Sequence, residues 1–376
     1  MSEPDHNEAF LYVGIDAHQD TLAVAVLPER AETPEPIVTL PNRAPTLRRW
    51  FRRLADRAPA TAVYEAGCLG FSLQRLIEKA GVPCLVAAPS HLPKLPGDHR
   101  KTDRIDARRL ASFLRAGQIV AVTPPSRETE ALRGLTRARQ SLREDVVRQK
   151  HRILKFLGIR GFVYREGMRW TAKHLRWLRD LDLGLDDDRD TLDFLLDEYE
   201  QRANALALLD QRIERRAQRP DVEERVRSLL AFRGIRTLTA LSVIAELGDP
   251  RRFPNARKVS AYCGITPSEY SSGMRIKRGP ITRSGNARLR RLLVEAVQHY
   301  ARPYPPNSTV LARRARAPKH ARSLAQEADR RLRRRYRLLA RRKHTNVAKT
   351  AVARELIGFL WAALVGLETR AKTPES

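Results

Sequence analysis

YVGIDAHQDTLAVAVLP, residues Tyr12 to Pro28, decides how the chain begins to fold. An apolar run carrying a single acid, Asp16, is followed by a polar break from Ala17 to Asp20 and by an alternating apolar run from Thr21 to Leu27. Two such runs about a tight polar turn predict a β-hairpin. A carboxylate on a buried strand is costly unless it is paired or holds a metal. Asp16 is therefore a candidate site residue, the alternative being a strand-end Asp satisfied by turn amides.

Working outward, Ile37 to Leu40 reads as a third strand, and Ala44 to Arg57 as a helix with Leu47, Trp50, Phe51 and Leu54 on one face. Thr61 to Tyr64 is a fourth strand that delivers Glu65 at its C-terminal end. A helix from Phe71 to Lys79 stops at Gly81, and Val82 to Ala87 is a fifth strand. Three antiparallel strands, a helix, then alternating strand and helix is the order of a ribonuclease H-like domain. In that order the first and fourth strands lie side by side and bring Asp16 and Glu65 together. Pro89 to Lys101 is a loop, after which KTDRIDARRLASFLRAG starts a helix near Asp103, with Asp106 on the same face. A cap and a solvated acidic first turn would look the same. Four carboxylates converging on one sheet edge repel one another unless divalent cations neutralise them. All-oxygen ligands suit Mg²⁺ or Mn²⁺, which serve in-line phosphoryl displacement.

The chain of 376 residues carries 71 Lys and Arg against 43 Asp and Glu, a net charge of +28. Such an excess calls for a polyanionic partner, nucleic acid before a membrane surface. No apolar run of roughly 18 residues and no signal peptide is read, so the expected location is cytoplasmic, in a bacterium and nucleoid-associated, with no membrane partner. Cys68, Cys84 and Cys263 lie far apart, which argues against a disulfide framework and structural zinc. His18, His91 and His99 read as loop or surface residues.

Glu128 to Gly158 and Leu192 to Ile213 repeat leucines near every 3.5 residues, separated by an acidic linker from Leu181 to Asp190. They form either an antiparallel hairpin within the chain or a coiled coil between protomers. LLAFRGIRTLTALSVIAELGD, Leu229 to Asp249, reads as two short helices about Gly234, a helix-hairpin-helix-like segment whose turn amides can hold a backbone phosphate. Beyond it Ser271, Ser272 and Gly273 share a loop with Arg275, Lys277, Arg278 and Arg283. A serine there can attack phosphorus while guanidinium groups stabilise the added charge, or can simply contact phosphate from a turn. Arg302 to Lys349 is a dense basic tail suited to RNA or DNA, followed by an apolar helix from Val352 to Leu367.

GIDAHQD, VYEAG, KTDRIDARRLA, RGIRTLTALSVIAELGD, RRFPNARKVSAYCGITPSEYSSG and RSGNARLRRLL occur in that order. Together they resemble the insertion-sequence transposases that pair a RuvC-like DEDD domain with a serine-bearing transposase domain, the bridge-RNA-guided recombinases. The resemblance implies that Asp16, Glu65, Asp103 and Asp106 are the metal-binding acids. It selects Ser272, which directly precedes glycine, as a nucleophile forming a 5′-phosphoserine link to DNA. It implies donor and target DNA, a guide RNA and a dimer or tetramer as partners. The family often has Pro-Gly-Ile-Gly where this chain has Arg233, Gly234, Ile235 and Arg236; Arg236 is then expected to contact phosphate.

The expected fold class is α/β plus α: a RuvC-like (RNase H-like) DEDD domain over 10–120, a helical, coiled-coil linker region over 126–220, and a mainly helical serine-bearing transposase domain with basic C-terminal helices over 225–370. The expected function is DNA transposition with Mg²⁺ or Mn²⁺. Its rivals are a metal-dependent, structure-specific nuclease that uses only the acids, and a non-catalytic nucleic-acid-binding relic.

Overall fold

The computed structural model describes residues 10–67, 69–89, 92–93, 102–270 and 278–370. The chain divides into two compact units, Met1–Pro124 and Pro125–Ser376.

In the first unit the hairpin forms as read: β1 (Leu11–Ala17) and β2 (Thr21–Pro28) pair antiparallel, and Asn42 ties the turn by donating to the carbonyls of His18 and Gln19. β3 (Val38–Pro41) is followed by α1 (Ala44–Arg57), β4 (Ala60–Glu65), α2 (Ser72–Lys79), β5 (Cys84–Ala87) and α3 (Asp103–Arg115). The sheet order is β3-β2-β1-β4-β5, antiparallel across β3, β2 and β1 and parallel from β1 through β4 to β5. This is the mixed α/β, RuvC-like arrangement expected.

Strand periodicity sorts the side chains onto two faces. Val13, Ile15, Ala62 and Tyr64 meet Leu47, Phe51, Leu73 and Ile77 of α1 and α2. On the opposite face Ala23, Ala25 and Leu27 meet Ala107 and Ala111 of α3, while Val63 meets Leu110. With both faces covered, the strands are apolar almost throughout, and an acid on one of them is conspicuous.

The second unit begins with α4 (Arg127–Ile159), α5 (Ala172–Asp180) and α6 (Asp186–Ala217). Arg139 pairs with Asp210, Gln149 donates to the Leu195 carbonyl and Arg160 pairs with Asp188. Each step along α4 moves backwards along α6, so the two helices form an antiparallel hairpin within the chain. Asp186 to Asp190, read as linker, belongs to α6: Asp186, Asp187 and Asp188 occupy its first turn, where the helix dipole favours acids. α5 was not foreseen, although Leu178 and His174 are buried in it.

Then follow α7 (Pro220–Leu230), α8 (Thr237–Leu247), α9 (Ala256–Tyr262), the hairpin strands β6 (Pro267–Glu269) and β7 (Arg278–Ile281), α10 (Ala287–Ala301), α11 (Ser308–Ala315), α12 (Lys319–Ala340) and α13 (Thr345–Arg370). Over Thr345–Leu367, α13 is long and apolar enough to cross a membrane, with a hydropathy of 1.5. This corrects the expectation of no such run and of a helix confined to Val352 to Leu367. Val352, Leu356, Ile357, Leu360 and Leu364 are buried among residues of α7, α9, α10 and α12, so α13 is the central core helix of this unit. The basic tail is helical, and part of its charge is structural. Arg314 of α11 pairs with Asp329 of α12, both nearly buried, and Arg331 and Arg335 share Glu355.

Candidate active site

Asp16 is the penultimate residue of β1, one beyond the Ile15–Tyr64 pair, and Glu65 closes β4 next to it, so both stand at one edge of the sheet. Asp16 shares strand parity with Gly14, and Glu65 with Val63, which puts both on the α3 face. α3 packs there because Gly14 has no side chain: a Cβ at that position would lie 2.0 Å from the Ala107 carbonyl oxygen and 2.4 Å from the Ala111 nitrogen. A glycine inside an apolar strand signals such an approach, yet the sequence reading gave Gly14 no role.

Thr102, not Asp103, caps α3, accepting from the Ile105 N–H. Asp103 and Asp106 occupy the first turn. The Asp103 Oδ1 and Asp16 Oδ2 atoms each lie 3.3 Å from His18 Nε2. Asp16, His18 and Asp103 thus offer three ligand atoms within 4.8 Å of one another. His18 is an exposed loop residue, as read, but it joins the acids, a role without local signal because the tight turn alone brings it back over β1. Asp106 pairs at 3.8 Å with Arg109 and acts on Asp16 through its charge. Glu65 is exposed and its carboxylate does not gather with these atoms.

Burial, together with the charges of Asp103 and Asp106, raises the Asp16 carboxyl above its ordinary range, and His18 opposes this without reversing it. A raised folded-state pKa stabilises the fold most below the unfolded value, and that contribution is lost as pH rises through the folded value. In the presence of a chelator, Asp16→Asn is expected to melt a few degrees above the wild type at neutral pH, with the gap closing on acidification. A variant that melts lower at neutral pH would contradict this origin of the shift.

In the second unit the segment between β6 and β7 holds Ser271, Ser272, Gly273, Arg275 and Lys277, which lie outside the described residues, as do Cys68, His91 and His99. Arg278 opens β7. Downstream, Arg283 adopts φ 56°, held by its N–H donating to the Gly264 carbonyl at 3.1 Å. A non-glycine residue in this region is strained and persists only where the surroundings over-determine it. Gly264 and Gly285 permit the clasp, since a Cβ on Gly264 would meet the Ser284 carbonyl oxygen at 2.2 Å and one on Gly285 the Tyr262 carbonyl oxygen at 2.3 Å. Asn286 then caps α10, accepting from the Leu289 N–H.

The α7–α8 turn is built the same way. Gly234 has φ 74°, and a Cβ there would lie 2.3 Å from the Ala296 carbonyl oxygen of α10. Arg236, where the family often has a second glycine, has φ −114° and needs none; it is exposed at the N-cap of α8.

A profile described as transposase IS116/IS110/IS902 family matches residues 226–309, and a second transposase profile, named for the DEDD domain of IS110 elements, matches 13–159. A putative transposase y4qE of Sinorhizobium fredii is 37% identical over 303 residues, covering 80% of this chain and 74% of the relative. The transposase for insertion sequence element IS1533 of Leptospira borgpetersenii is 28% identical, covering 88% of this chain and 96% of its own length. That for element IS1111A of Coxiella burnetii is 27% identical over 77% of this chain and 73% of the relative. With its acids on a RuvC-like sheet edge and its arginine-rich helical unit in the same order, the chain belongs to the IS110/IS116 family of insertion-sequence transposases, DNA-cutting and rejoining enzymes with a DEDD N-terminal domain.

Proposed function

We propose that this transposase moves DNA strands through a serine ester, with Asp16, Glu65, Asp103 and Asp106 holding Mg²⁺ or Mn²⁺ and Ser272 as nucleophile. The observation that carries the reading is the gathering of Asp16, His18 and Asp103 at the sheet edge. The donor set fits a hard cation: carboxylate oxygens dominate it, and Asp16, whose pKa is raised first by burial and then by the charges of Asp103 and Asp106, is a carboxylate whose ionised form a cation would favour. His18 adds a nitrogen that Mn²⁺ accepts more readily than Mg²⁺. When bound, such a cation polarises the phosphodiester and offsets charge on the attacking and leaving oxygens.

The Ser272 hydroxyl oxygen attacks phosphorus and loses its proton, and the 3′ oxygen departs and takes one up, leaving a 3′-hydroxyl and a 5′-phosphate esterified to serine. Attack on that ester by another strand's 3′-hydroxyl restores a phosphodiester and frees the serine. One ester replaces another at each step, so no nucleotide hydrolysis is needed. Arg275, Lys277, Arg278 and Arg283 supply charge-assisted hydrogen bonds to the phosphate and the phosphorane, and Arg236 contacts the backbone. The net charge of +28 supports a second polyanion, a guide RNA that pairs with donor and target DNA, alongside the DNA itself. A dimer or tetramer would let the acids of one subunit serve the serine of another.

The test is covalent trapping on a denaturing gel, with the protein, its element's RNA, junction DNA and Mg²⁺. A protein–DNA adduct should form and disappear in both Ser272→Ala and Asp16→Asn. Cleavage without an adduct, retained in Ser272→Ala, would instead establish a metal-dependent nuclease.

A further inference from the structure

The α7–α8 turn faces a cavity of about 550 Å³. Arg233, Arg236, Arg302, Arg313 and His299 line it against a single carboxylate, Glu214. Cations gathered in a concave surface repel one another, so this arrangement stores a positive potential that an anion would relieve. Its imprint is visible on His299, whose pKa is held down by burial and then by Arg302, Arg233, Arg236 and Arg313.

Two of the arginines are fixed by the fold. Arg313 donates to the Ile235 carbonyl at 2.7 Å, and Arg233, 7% exposed, donates to the Tyr304 carbonyl at 3.1 Å. Arg233 Nη1 and Arg313 Nε are buried without a hydrogen-bond partner. Arg236 and Arg302 are exposed at the rim, and neither is paired with a carboxylate among the described residues. α8 opens into the same cavity with no side-chain cap, and its first-turn amides at Thr237, Leu238 and Thr239 meet no protein acceptor among the described residues. Unpaired amides at a helix N-terminus favour an anion.

We infer that this cavity is a built binding pocket for a backbone phosphate of a nucleic-acid strand, held by Arg236, Arg302 and the first-turn amides of α8, with Arg233 and Arg313 supplying charge from behind. The inference rests on the nucleic-acid reading above and deepens it. A phosphodiester suits the pocket because four guanidinium groups and the first-turn amides of α8 face it against one carboxylate, the pattern that grips a phosphate without reading a base. The turn also explains its own composition. Gly234 lets α10 approach closely enough to bring His299 and Arg302 to the rim, and Arg236 occupies a position whose negative φ leaves a long side chain free to reach outward.

The test is fluorescence anisotropy with the full-length protein and two labelled probes, duplex DNA and single-stranded RNA of unrelated sequence, across a salt series. Arg236→Ala/Arg302→Ala is compared with Arg48→Ala/Arg52→Ala, which removes the same charge from exposed positions on α1, outside the basic tail. The pocket pair should weaken binding of at least one probe about tenfold and lower the salt slope by about one, with the control pair near wild type. Loss on duplex alone assigns the phosphate to DNA, loss on RNA alone to RNA. Equal effects of the two pairs, or no effect of the pocket pair, would overturn the pocket while leaving the transposase reading intact. A wild-type protein that binds neither probe would overturn both. Arg236→Lys/Arg302→Lys, which keeps the charge, should retain most of the affinity, and a loss as large as with alanine in a folded protein would also overturn the pocket.

Discussion

Gly14→Val should abolish DNA strand transfer and unfold the first unit several degrees early, although residue 14 has no side chain to take part in the chemistry. The atoms that a side chain would strike are backbone, the Ala107 oxygen at 2.0 Å and the Ala111 nitrogen at 2.4 Å, and backbone cannot swing aside as a flexible side chain can. α3 would have to lift from β1, carrying Asp103 and Asp106 away from Asp16. Overpacking a core costs about 1–3 kcal/mol, and more where backbone must move; here the same displacement dismantles the acid cluster. Even Gly14→Ala should be severe. Gly134→Ala, in α4 with nothing within 4 Å, should be neutral or stabilising by about 0.5–1 kcal/mol. Thermal unfolding with and without Mg²⁺ checks both, and a Gly14→Ala protein with wild-type melting and metal response would refute the close approach of α3.

Glu246 carries the second large effect. It is fully buried in α8, accepts from Arg137 Nε and Nη2 at 2.8 Å each and from Asn286 Nδ2 at 2.8 Å, and lies 3.7 Å from Arg288. Arg133 donates to the Ala245 and Glu246 carbonyls, and the Tyr262 hydroxyl to the Glu246 carbonyl. The carboxylate therefore joins α8 to α4 and to the cap of α10, and the backbone carbonyl of the same residue adds α9. Burial alone would push its pKa up, but the hydrogen bonds from Arg137 and Asn286 and the charges of Arg137 and Arg133 bring it below the ordinary carboxylate range. Removing one partner of a buried pair costs about 3–5 kcal/mol, so Glu246→Leu should destabilise the second unit on that scale. Since Asn286 closes the clasp that holds Arg283, strand transfer should fall even in Glu246→Gln protein that still folds. A depressed pKa contributes stability above the unfolded value and loses it as pH falls through the folded one. Wild-type melting should thus drop on acidification below the normal glutamate range, whereas Glu246→Gln should show a flatter profile. Identical profiles would rule out the carboxylate as the source.

Local pattern carried a large part of this protein. The hairpin, α1 to its terminal residues, the strand that ends in Glu65 and the helix bearing Asp103 and Asp106 were legible because each buries a face with its own period, 2.0 for strands and 3.6 for helices. The charge excess announced nucleic acid, and the ordered motifs announced the family. Other features depend on segments distant in sequence. His18 reads as an ordinary loop residue until the turn folds it back between Asp16 and Asp103. Gly14 reads as a weak spot in a strand until α3 settles on it. Glu246 sits in an apolar helix where no neighbour in sequence could satisfy it, and its partners come from α4 and from the cap of α10, 109 and 40 residues away. The arginines of the α7–α8 pocket come from a turn, the end of α10 and α11, each unremarkable alone. Sequence by itself determined which elements form and which chemistry they carry, because backbone propensity and hydrophobic period act over a few residues. Tertiary structure alone decided which charges meet, because close approach and desolvation are properties of surfaces that exist only once distant segments have packed.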